Sequence, residues 1–381
     1  MNKPSFQTLG FAVRAPLAIV AVAIMAGCFG GVKKPQPAEL QPVAALVSVR
    51  QSWSNRMGPV NFPLDVTVSG NSVSVASDDG TVALLDALTG RDIWRVALKT
   101  PIAAGVGSDG KVLAVVTKAN EVVAMQAGRE LWRQKLTAQA FTAPFVAGER
   151  VFVLAADRSV NAFDGQTGRK LWTQQRSSEP LVLRQSGVML AVGDTLVVGL
   201  SGRLAGMNPS TGSIQWEAPI ATPRGINDVE RLVDLVGSVS RVGDNVCVRA
   251  FQASIGCVDA ARGSLLWTRP ANGVQGIHGD DQLLFGTEAD GTVIALKRTD
   301  GERAWSSERL RYRGLSAPLL AGRSVVIGDA TGFIHLLSRD DGSLLNRLTT
   351  DGSAIAAAPV LAGNTLIAVT RNGGIYGFQP E

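Results

Sequence analysis

Few side chains in this 381-residue chain are suited to covalent or metal chemistry. The chain has two histidines, His278 and His335, and three cysteines, Cys28, Cys247 and Cys257. Their spacing matches no zinc site, and the chain contains neither a phosphate-binding loop nor a nucleophile elbow. Most of the aspartates belong to repeated turn sequences, which indicates a structural role. The sequence therefore predicts a protein that is not an enzyme and that holds neither a metal nor a cofactor.

Cys28 follows an apolar segment near the N-terminus. Residues 15–26 form an apolar run of 12 residues that is preceded by two basic residues. This run is too short to cross a bilayer, which takes about 20 residues, but it has the length of a secretory signal. Met25-Ala26-Gly27-Cys28 resembles the lipobox of bacterial lipoproteins, in which the cysteine is lipidated and becomes the mature N-terminus. We expect residues 1–27 to be a lipoprotein signal peptide and Cys28 to carry the lipid. The alternative is an ordinary signal peptide with an incidental cysteine.

The residues after Cys28 predict where the protein resides. By the same resemblance, Phe29 rather than aspartate after the cysteine favours sorting to the outer membrane, with the protein lipid-anchored on the periplasmic side. Residues 30–42 contain three prolines and no hydrophobic periodicity, so we expect residues 28–44 to form a lipidated flexible tether. Lys33 and Lys34 in this tether either touch anionic lipid headgroups or are solvated.

The spacing of the tryptophans reveals a repeat. The seven tryptophans, at positions 53, 94, 132, 172, 216, 267 and 305, lie 38 to 51 residues apart. Six of them follow a glycine by four residues, and Gly342 begins a further unit in which Asn346 replaces the tryptophan. A second pattern of large apolar, variable, small, large apolar and polar residues occurs eight times, as in Val160-Asn161-Ala162-Phe163-Asp164. We expect the small third residue where strands of neighbouring units crowd together.

These repeats predict an all-β fold, an eight-bladed β-propeller. Each unit combines short β-rich runs with a turn such as Asp-x-x-Thr-Gly, in which the aspartate bonds the backbone and the glycine closes the hairpin. Residues 53–381 number 329, and division by eight gives about 41 residues per blade. We expect four antiparallel strands per blade over residues 45–381. An N-terminal strand at about residues 46–54 should complete the eighth blade and close the ring.

Cys247 and Cys257 lie on the two strands of one predicted hairpin. If the turn of that hairpin centres on Gln252, the two cysteines face each other, and an oxidising periplasm would permit a disulfide. The alternative is that Cys257 only fills the small-residue place of its repeat.

Charge and composition narrow the classes of partner. The net charge of +5 falls to +3 when the two basic residues of the signal peptide are removed, and it is spread without basic runs or interleaved aromatic residues. This distribution excludes nucleic acid as the expected partner. The 45% apolar content is enough for a large core, and one propeller uses nearly the whole chain.

The blade sequence small-apolar-Asp-x-x-Thr-Gly-x-x-x-Trp resembles the PQQ-like repeats of quinoprotein dehydrogenases, which build eight-bladed propellers around pyrroloquinoline quinone. Those enzymes are much longer, bind calcium beside the quinone and carry an adjacent pair of cysteines. This chain has no adjacent cysteines and few residues outside the blades to cover a cofactor. A quinone-dependent periplasmic oxidoreductase stays an alternative, and so does a propeller that binds the cell wall.

The lipobox, the tether and eight such blades, with little else, resemble the BamB family, lipoprotein subunits of the outer-membrane β-barrel assembly (BAM) complex. The resemblance covers essentially the whole mature chain. It implies a non-catalytic scaffold that binds the periplasmic POTRA domains of BamA and supports insertion of β-barrel proteins into the membrane. Unfolded outer-membrane protein clients would then be transient partners that pair their strands with the propeller.

The resemblance also implies which residues bind BamA. The family carries a Leu-x-Leu-Arg motif, matched here by Leu181, Leu183 and Arg184, and an acidic segment in which Asp234 matches the first aspartate. Val236 replaces the second aspartate, so any ion pair of that residue is absent here. The leucines would anchor the partner, and the two charges would fix its register. The alternative is that both leucines pack inward and Arg184 pairs with Asp234 inside the protein.

Overall fold

A computed structural model describes residue 1 and residues 35–175, 181–223, 226–229 and 231–381. The compact body runs from Pro37 to Glu381. Throughout the described residues the regular secondary structure consists of strands. In that part of the chain we find no helix of the length and apolar character needed to cross a membrane.

The strands are short and follow one another along the chain. The first half contains β1 (Val49–Arg56), β2 (Thr67–Ser69), β3 (Ser72–Ala76), β4 (Thr81–Asp86), β5 (Asp92–Ala97), β6 (Ile102–Ser108), β7 (Val112–Thr117), β8 (Glu121–Gln126), β9 (Arg129–Lys135), β10 (Phe145–Ala147), β11 (Arg150–Leu154), β12 (Val160–Asp164), β13 (Lys170–Gln174), β14 (Met189–Val192), β15 (Thr195–Leu200), β16 (Arg203–Met207) and β17 (Ile214–Pro219). The second half contains β18 (Leu235–Val242), β19 (Asn245–Ala250), β20 (Ser254–Asp259), β21 (Ser264–Pro270), β22 (Ile277–Gly279), β23 (Leu283–Thr287), β24 (Val293–Lys297), β25 (Arg303–Ser307), β26 (Leu319–Ala321), β27 (Ser324–Gly328), β28 (Phe333–Ser338), β29 (Leu344–Thr349), β30 (Val360–Ala362), β31 (Thr365–Val369) and β32 (Gly374–Pro380).

These strands form eight four-stranded antiparallel sheets, which are the eight blades of a β-propeller. Blades 1 to 7 each use four consecutive strands, from β2–β5 in blade 1 to β26–β29 in blade 7. Blade 8 has the order β1-β32-β31-β30, so the first strand of the chain lies beside the last. The predicted fold, blade count and closure by an N-terminal strand are therefore confirmed. The closing strand is Val49–Arg56 rather than residues 46–54.

Six of the seven tryptophans lie opposite the small residue of their own blade, and the seventh, Trp94, lies opposite Leu84. Trp132 faces Ala124 across β8 and β9, and Trp53 faces Gly377 across β1 and β32. A Cβ atom built on Gly377 would lie 2.1 Å from the indole of Trp53, closer than any real contact. The small residue makes room for the ring of the cross-strand tryptophan, and that ring packs against the neighbouring blade.

The glycine that stands four residues before six of the tryptophans serves the contact between blades. Gly90, with a φ of 69°, lies in the turn of blade 1 against the Trp53 ring of blade 8, where a Cβ atom would lie 2.3 Å from the indole. The indole N–H of Trp53 donates to the carbonyl of Ala87 in the same turn, at 3.0 Å. Trp132 repeats the contact two blades further on and donates to Gly165 O at 2.9 Å. The tryptophan of one blade thus docks on the turn of the next.

Blade 7 lacks the tryptophan because blade 8 lacks the turn. In blade 8 the third strand is β32 and the outer strand is β1, so the chain termini lie where the other blades have a connecting turn. Asn346 of blade 7 donates its side-chain N–H to Val47 O, just before β1, at 2.8 Å. A shorter side chain therefore makes the hydrogen bond that an indole makes elsewhere.

The segment before β1 lies along the outer strand of blade 7. The N–H of Ala38 donates to Arg311 O at 2.9 Å, and the N–H of Leu46 donates to Leu345 O at 2.8 Å. Between them, the guanidinium of Arg347 donates to Gln41 O at 3.1 Å. The compact body thus begins at Pro37, ahead of the expected boundary at residue 45. Residues 38–44, expected to belong to the tether, lie within it.

The two ends of the ring differ. One end, which we term the loop face, carries the connections between blades and the turns between the second and third strands of each blade. The opposite end, the turn face, carries the turns on which the tryptophans dock, such as residues 87–91. The two connections expected to bind a partner both lie on the loop face.

Candidate partner-binding surface

Two long connections stand beside each other on the loop face. One joins β13 to β14 and is described from Leu181 onward, and the other joins β17 to β18. Both belong to blade 4, one at its entry and one at its exit. The propeller thus brings together two segments that lie about 50 residues apart in the sequence, as Leu183 and Asp234 show with a separation of 51.

A buried ion pair ties these connections to blade 3. The guanidinium of Arg158 lies 2.6 Å from the carboxylate of Asp234, and the two side chains are 7% and 13% exposed. Arg158 also donates to Leu181 O at 2.9 Å, and the N–H of Leu183 donates to the second carboxylate oxygen of Asp234 at 2.9 Å. Arg158 and Asp234 therefore fix the backbone of the first connection at two points, and we call this pair the clamp.

The structure places the predicted binding residues at different depths. Leu181 is 40% exposed, and Leu183 is half-buried over a small cavity between blades 3 and 4. Arg184 is exposed and makes no hydrogen bond or ion pair with the described residues. The first connection therefore presents an apolar side chain and an unpaired cation to solvent, while its backbone is fixed.

Asp234 has a partner that neither interpretation of the sequence predicted. Asp234 is neither exposed nor paired with Arg184, because the buried guanidinium of Arg158 binds its carboxylate. Arg158 lies in the turn between β11 and β12 with a φ of 62°, and no sequence signal connects that turn with the later connections. Val236, at the place of the family's second aspartate, is buried in β18.

The second connection adds further apolar surface. Val229 is 71% exposed, whereas Val233 is buried against the blades. Arg231 pairs with Asp228 at 3.0 Å, both of them well exposed to solvent. The loop face near blade 4 thus combines exposed apolar and charged groups.

The two cysteines predicted to pair are joined by a disulfide. Cys247 on β19 lies directly opposite Cys257 on β20, as the predicted hairpin requires, and both are fully buried. Gln252 lies in the turn of that hairpin with a φ of 48°. Cys257 also occupies the small-residue place opposite Trp267, so both roles considered for it are compatible.

The histidines lie inside the ring. His335 contacts the carboxylate of Asp329 at 3.0 Å, and Arg313 binds the same carboxylate at 2.8 Å. Burial raises the pKa of Asp329, but hydrogen bonds from His335, from the N–H of Phe333 and from Arg313 outweigh it and hold the pKa well below its usual range. Burial lowers the pKa of His335. Among the described residues there is no cluster of three or more His, Cys, Asp or Glu side chains arranged to hold a metal ion.

Three predicted features lie outside the described residues. They are the signal peptide beyond residue 1, Cys28 with its lipobox, and the two tether lysines.

A family model and curated proteins match this chain over most of its length. The family model described as outer membrane protein assembly factor BamB matches residues 78–307. The outer membrane protein assembly factor BamB of Burkholderia pseudomallei is 37% identical over 96% of this chain and 98% of its own length. The same factor of Bordetella pertussis is 34% identical over 96% of this chain and 97% of its own length.

Solved structures agree on the fold. The crystal structure of BamB from Moraxella catarrhalis matches with a TM-score of 0.80 and 23% identity, over 87% of this chain and 99% of that chain. A quinohemoprotein alcohol dehydrogenase from Comamonas testosteroni matches with a TM-score of 0.68 and 13% identity, over 88% of this chain and 77% of that chain, which shows a shared fold alone. Since the family model covers more than half of the chain and the Burkholderia relative nearly all of it, this chain belongs to the BamB family of outer membrane protein assembly factors.

Proposed function

We propose that this protein is a non-catalytic scaffold of the BAM complex that binds the POTRA domains of BamA through its loop face. The observation that carries the proposal is the first connection beside blade 4. Its backbone is held by the clamp, while the side chains of Leu181 and Arg184 are exposed. On this fixed backbone the leucine is available for an apolar contact with a partner and the arginine for a charge-assisted hydrogen bond.

The clamp would help binding by ordering the surface in advance. Association loses less free energy when the binding segment already has its bound conformation. Arg184 would then form a charge-assisted hydrogen bond with a carboxylate or carbonyl of the partner, and Leu181 would fill an apolar pocket. In this scheme Asp234 does not touch the partner, so its role in binding is to position the connection.

We also propose where the protein resides in the cell. A lipid on Cys28, after removal of residues 1–27, would hold the ring at the periplasmic surface of the outer membrane, with residues 28–36 as the tether ahead of the compact body. Several acyl chains bind a membrane far more firmly than one. The ring would keep the POTRA domains in an arrangement that favours insertion of client barrels.

Co-purification tests the proposal. The variant Leu181→Ala/Arg184→Ala removes both exposed groups, and the matched control Leu88→Ala/Arg91→Ala removes a leucine and an arginine that are exposed on the turn face. We expect the first variant to lose BamA from detergent-solubilised outer membranes and the control to retain it, with unchanged melting temperatures in both. Retention of BamA by the first variant would remove the assignment of this surface.

A further inference from the structure

A cavity follows the axis of the ring. One part, of about 620 Å³, lies among the inner strands β2, β14, β18, β22, β26 and β30. A second part, of about 350 Å³, opens toward the loop face beside Arg184 and Arg371. Leu64, Asp65, Ser238 and Ala358 line both parts, so the two parts adjoin, and we call them together the channel. We call the larger part the bore and the smaller part the mouth.

The bore and the mouth differ in chemistry. The bore is lined mainly by apolar side chains, among them Val66, Val68, Met189, Leu320 and Leu361. Its one imidazole, that of His278, accepts a hydrogen bond from the N–H of Leu320 at 3.1 Å, and burial lowers its pKa, which favours the neutral form. The bore therefore offers a mainly apolar surface, with Asp65 as the one carboxyl group among the described residues that line it.

The mouth carries cations that lack carboxylate partners. Arg184 and Arg371 both line it, and neither forms an ion pair with a described residue. The guanidinium of Arg371 makes only a long hydrogen bond, of 3.4 Å, to Val60 O. Two guanidinium groups from opposite sides of the ring thus converge on one opening.

Polar atoms in the mouth also lack partners. The hydroxyl of Ser238 and the side-chain carbonyl of Gln185 are both buried without a hydrogen bond to the protein. A buried polar atom without a partner lowers stability by about 1–3 kcal/mol, so such atoms usually meet a ligand or ordered water. Of the two, only the Ser238 hydroxyl can donate to an anionic group held by the arginines, whereas the Gln185 carbonyl is an acceptor and needs a donor such as ordered water.

We propose that this channel binds a small amphiphile with a carboxylate head and a linear apolar tail. The head would lie in the mouth and accept hydrogen bonds from Arg184, Arg371 and the Ser238 hydroxyl. The tail would fill the bore, whose volume lies within the roughly 300–1,000 Å³ of typical small-molecule sites. Arg184 also belongs to the surface proposed for BamA, whereas Arg371, Ser238 and the bore do not, so variants of Arg371 and Ala358 test this site separately.

Asp65 stands where the mouth meets the bore, and its charge bears on the head group. Its carboxylate accepts a hydrogen bond from the Ser186 hydroxyl at 2.6 Å. Burial raises the pKa of Asp65 despite this hydrogen bond. The group therefore repels an anionic head less than an ordinary aspartate would, and in its protonated form it donates a hydrogen bond to the head.

Photolabelling tests the site in the full-length protein reconstituted in lipid nanodiscs. The probe is dodecanoic acid with a diazirine at the end of its tail, and labelled peptides are identified by mass spectrometry after illumination. We expect saturable labelling of peptides that contain Met189 and Leu320, with competition by excess dodecanoate but not by dodecanol. Labelling spread over the outer surface, or equal competition by the alcohol, would overturn the proposal.

Two variants test the contacts of the head group and of the tail separately. Arg371→Gln should weaken labelling of the bore about tenfold, since it removes a hydrogen bond between charged groups. The matched control Arg303→Gln, an exposed arginine on β25, should leave labelling unchanged. Ala358→Phe should block labelling sterically with an unchanged melting temperature. Labelling of the bore at wild-type levels in Arg371→Gln or in Ala358→Phe would contradict the assigned pose, whatever the BamA pull-down shows.

Discussion

Replacement of Asp234 by asparagine should destabilise the ring and release the first connection. The asparagine keeps the size of the side chain and an oxygen that accepts the N–H of Leu183, but it removes the charge that faces Arg158 at 2.6 Å. Arg158 is 7% exposed, so its guanidinium would stay buried without a counter-charge.

The burial of both side chains sets the expected loss in the free energy of unfolding. Removal of one partner of a buried ion pair costs about 3–5 kcal/mol, whereas exposed pairs contribute about 0–1 kcal/mol. Asp234 is 13% exposed and asparagine keeps one hydrogen bond, so we expect a loss of about 3 kcal/mol. The Lys297–Glu302 pair, with exposures of 52% and 61%, is the matched control and should lose about 0–1 kcal/mol in Glu302→Gln.

The assay is urea unfolding of a double-mutant cycle. Arg158→Ala, Asp234→Ala and the double variant give the coupling free energy between the two side chains, which we expect at the upper end of the roughly 0.5–3 kcal/mol seen for contacting residues. Hydrogen exchange of the Leu183 amide should rise in Asp234→Ala, because its acceptor is gone. A coupling free energy no larger than that of the exposed control pair would refute the clamp.

Three further predictions concern the ring itself. Trp132→Ala should lower the free energy of unfolding by about 3–5 kcal/mol, because it empties a buried contact between blades and removes the bond to Gly165; a urea-measured loss below about 1 kcal/mol contradicts this packing role. Reduction of the Cys247–Cys257 disulfide, which spans 10 residues, should lower it by about 2–3 kcal/mol, and alkylation of both thiols without reductant would show that the disulfide is absent. Because burial lowers the pKa of His335, the unfolded chain binds a proton at mildly acidic pH that the folded ring does not. The free energy of unfolding should therefore fall by up to about 1.4 kcal/mol for this residue as the pH drops from about 7.5 to about 5.5. The fall should be smaller in His335→Asn. An equal fall in the variant would contradict that assignment.

The fold was predictable because its contacts repeat. Trp132 and Trp53 make the same hydrogen bond to the next blade, so the constraint leaves the same mark in each unit of the sequence. The one irregular unit was also visible, as Asn346 in place of tryptophan. Its cause was not predictable, since it depends on the chain termini meeting in blade 8.

The site was predictable only in part. The position of Leu181 and Arg184 in a long connection followed from the family motif and the lengthened repeat. The burial of Asp234 could not be predicted, because it depends on Arg158, a residue 76 positions earlier in a turn that carries no motif. The packing of residues 38–47 on blade 7 was likewise hidden, since this segment contributes backbone groups to these hydrogen bonds and its own side chains show no pattern.

Site-specific photocrosslinking tests the central claim most directly. A benzophenone amino acid placed at Arg184, on the loop face, is compared with one placed at Leu88, on the turn face, in cells that carry the full-length lipoprotein. We predict that the first position crosslinks to the POTRA region of BamA and that the second does not. Crosslinks to BamA from Leu88 alone, or equally from both positions, would contradict binding through the loop face.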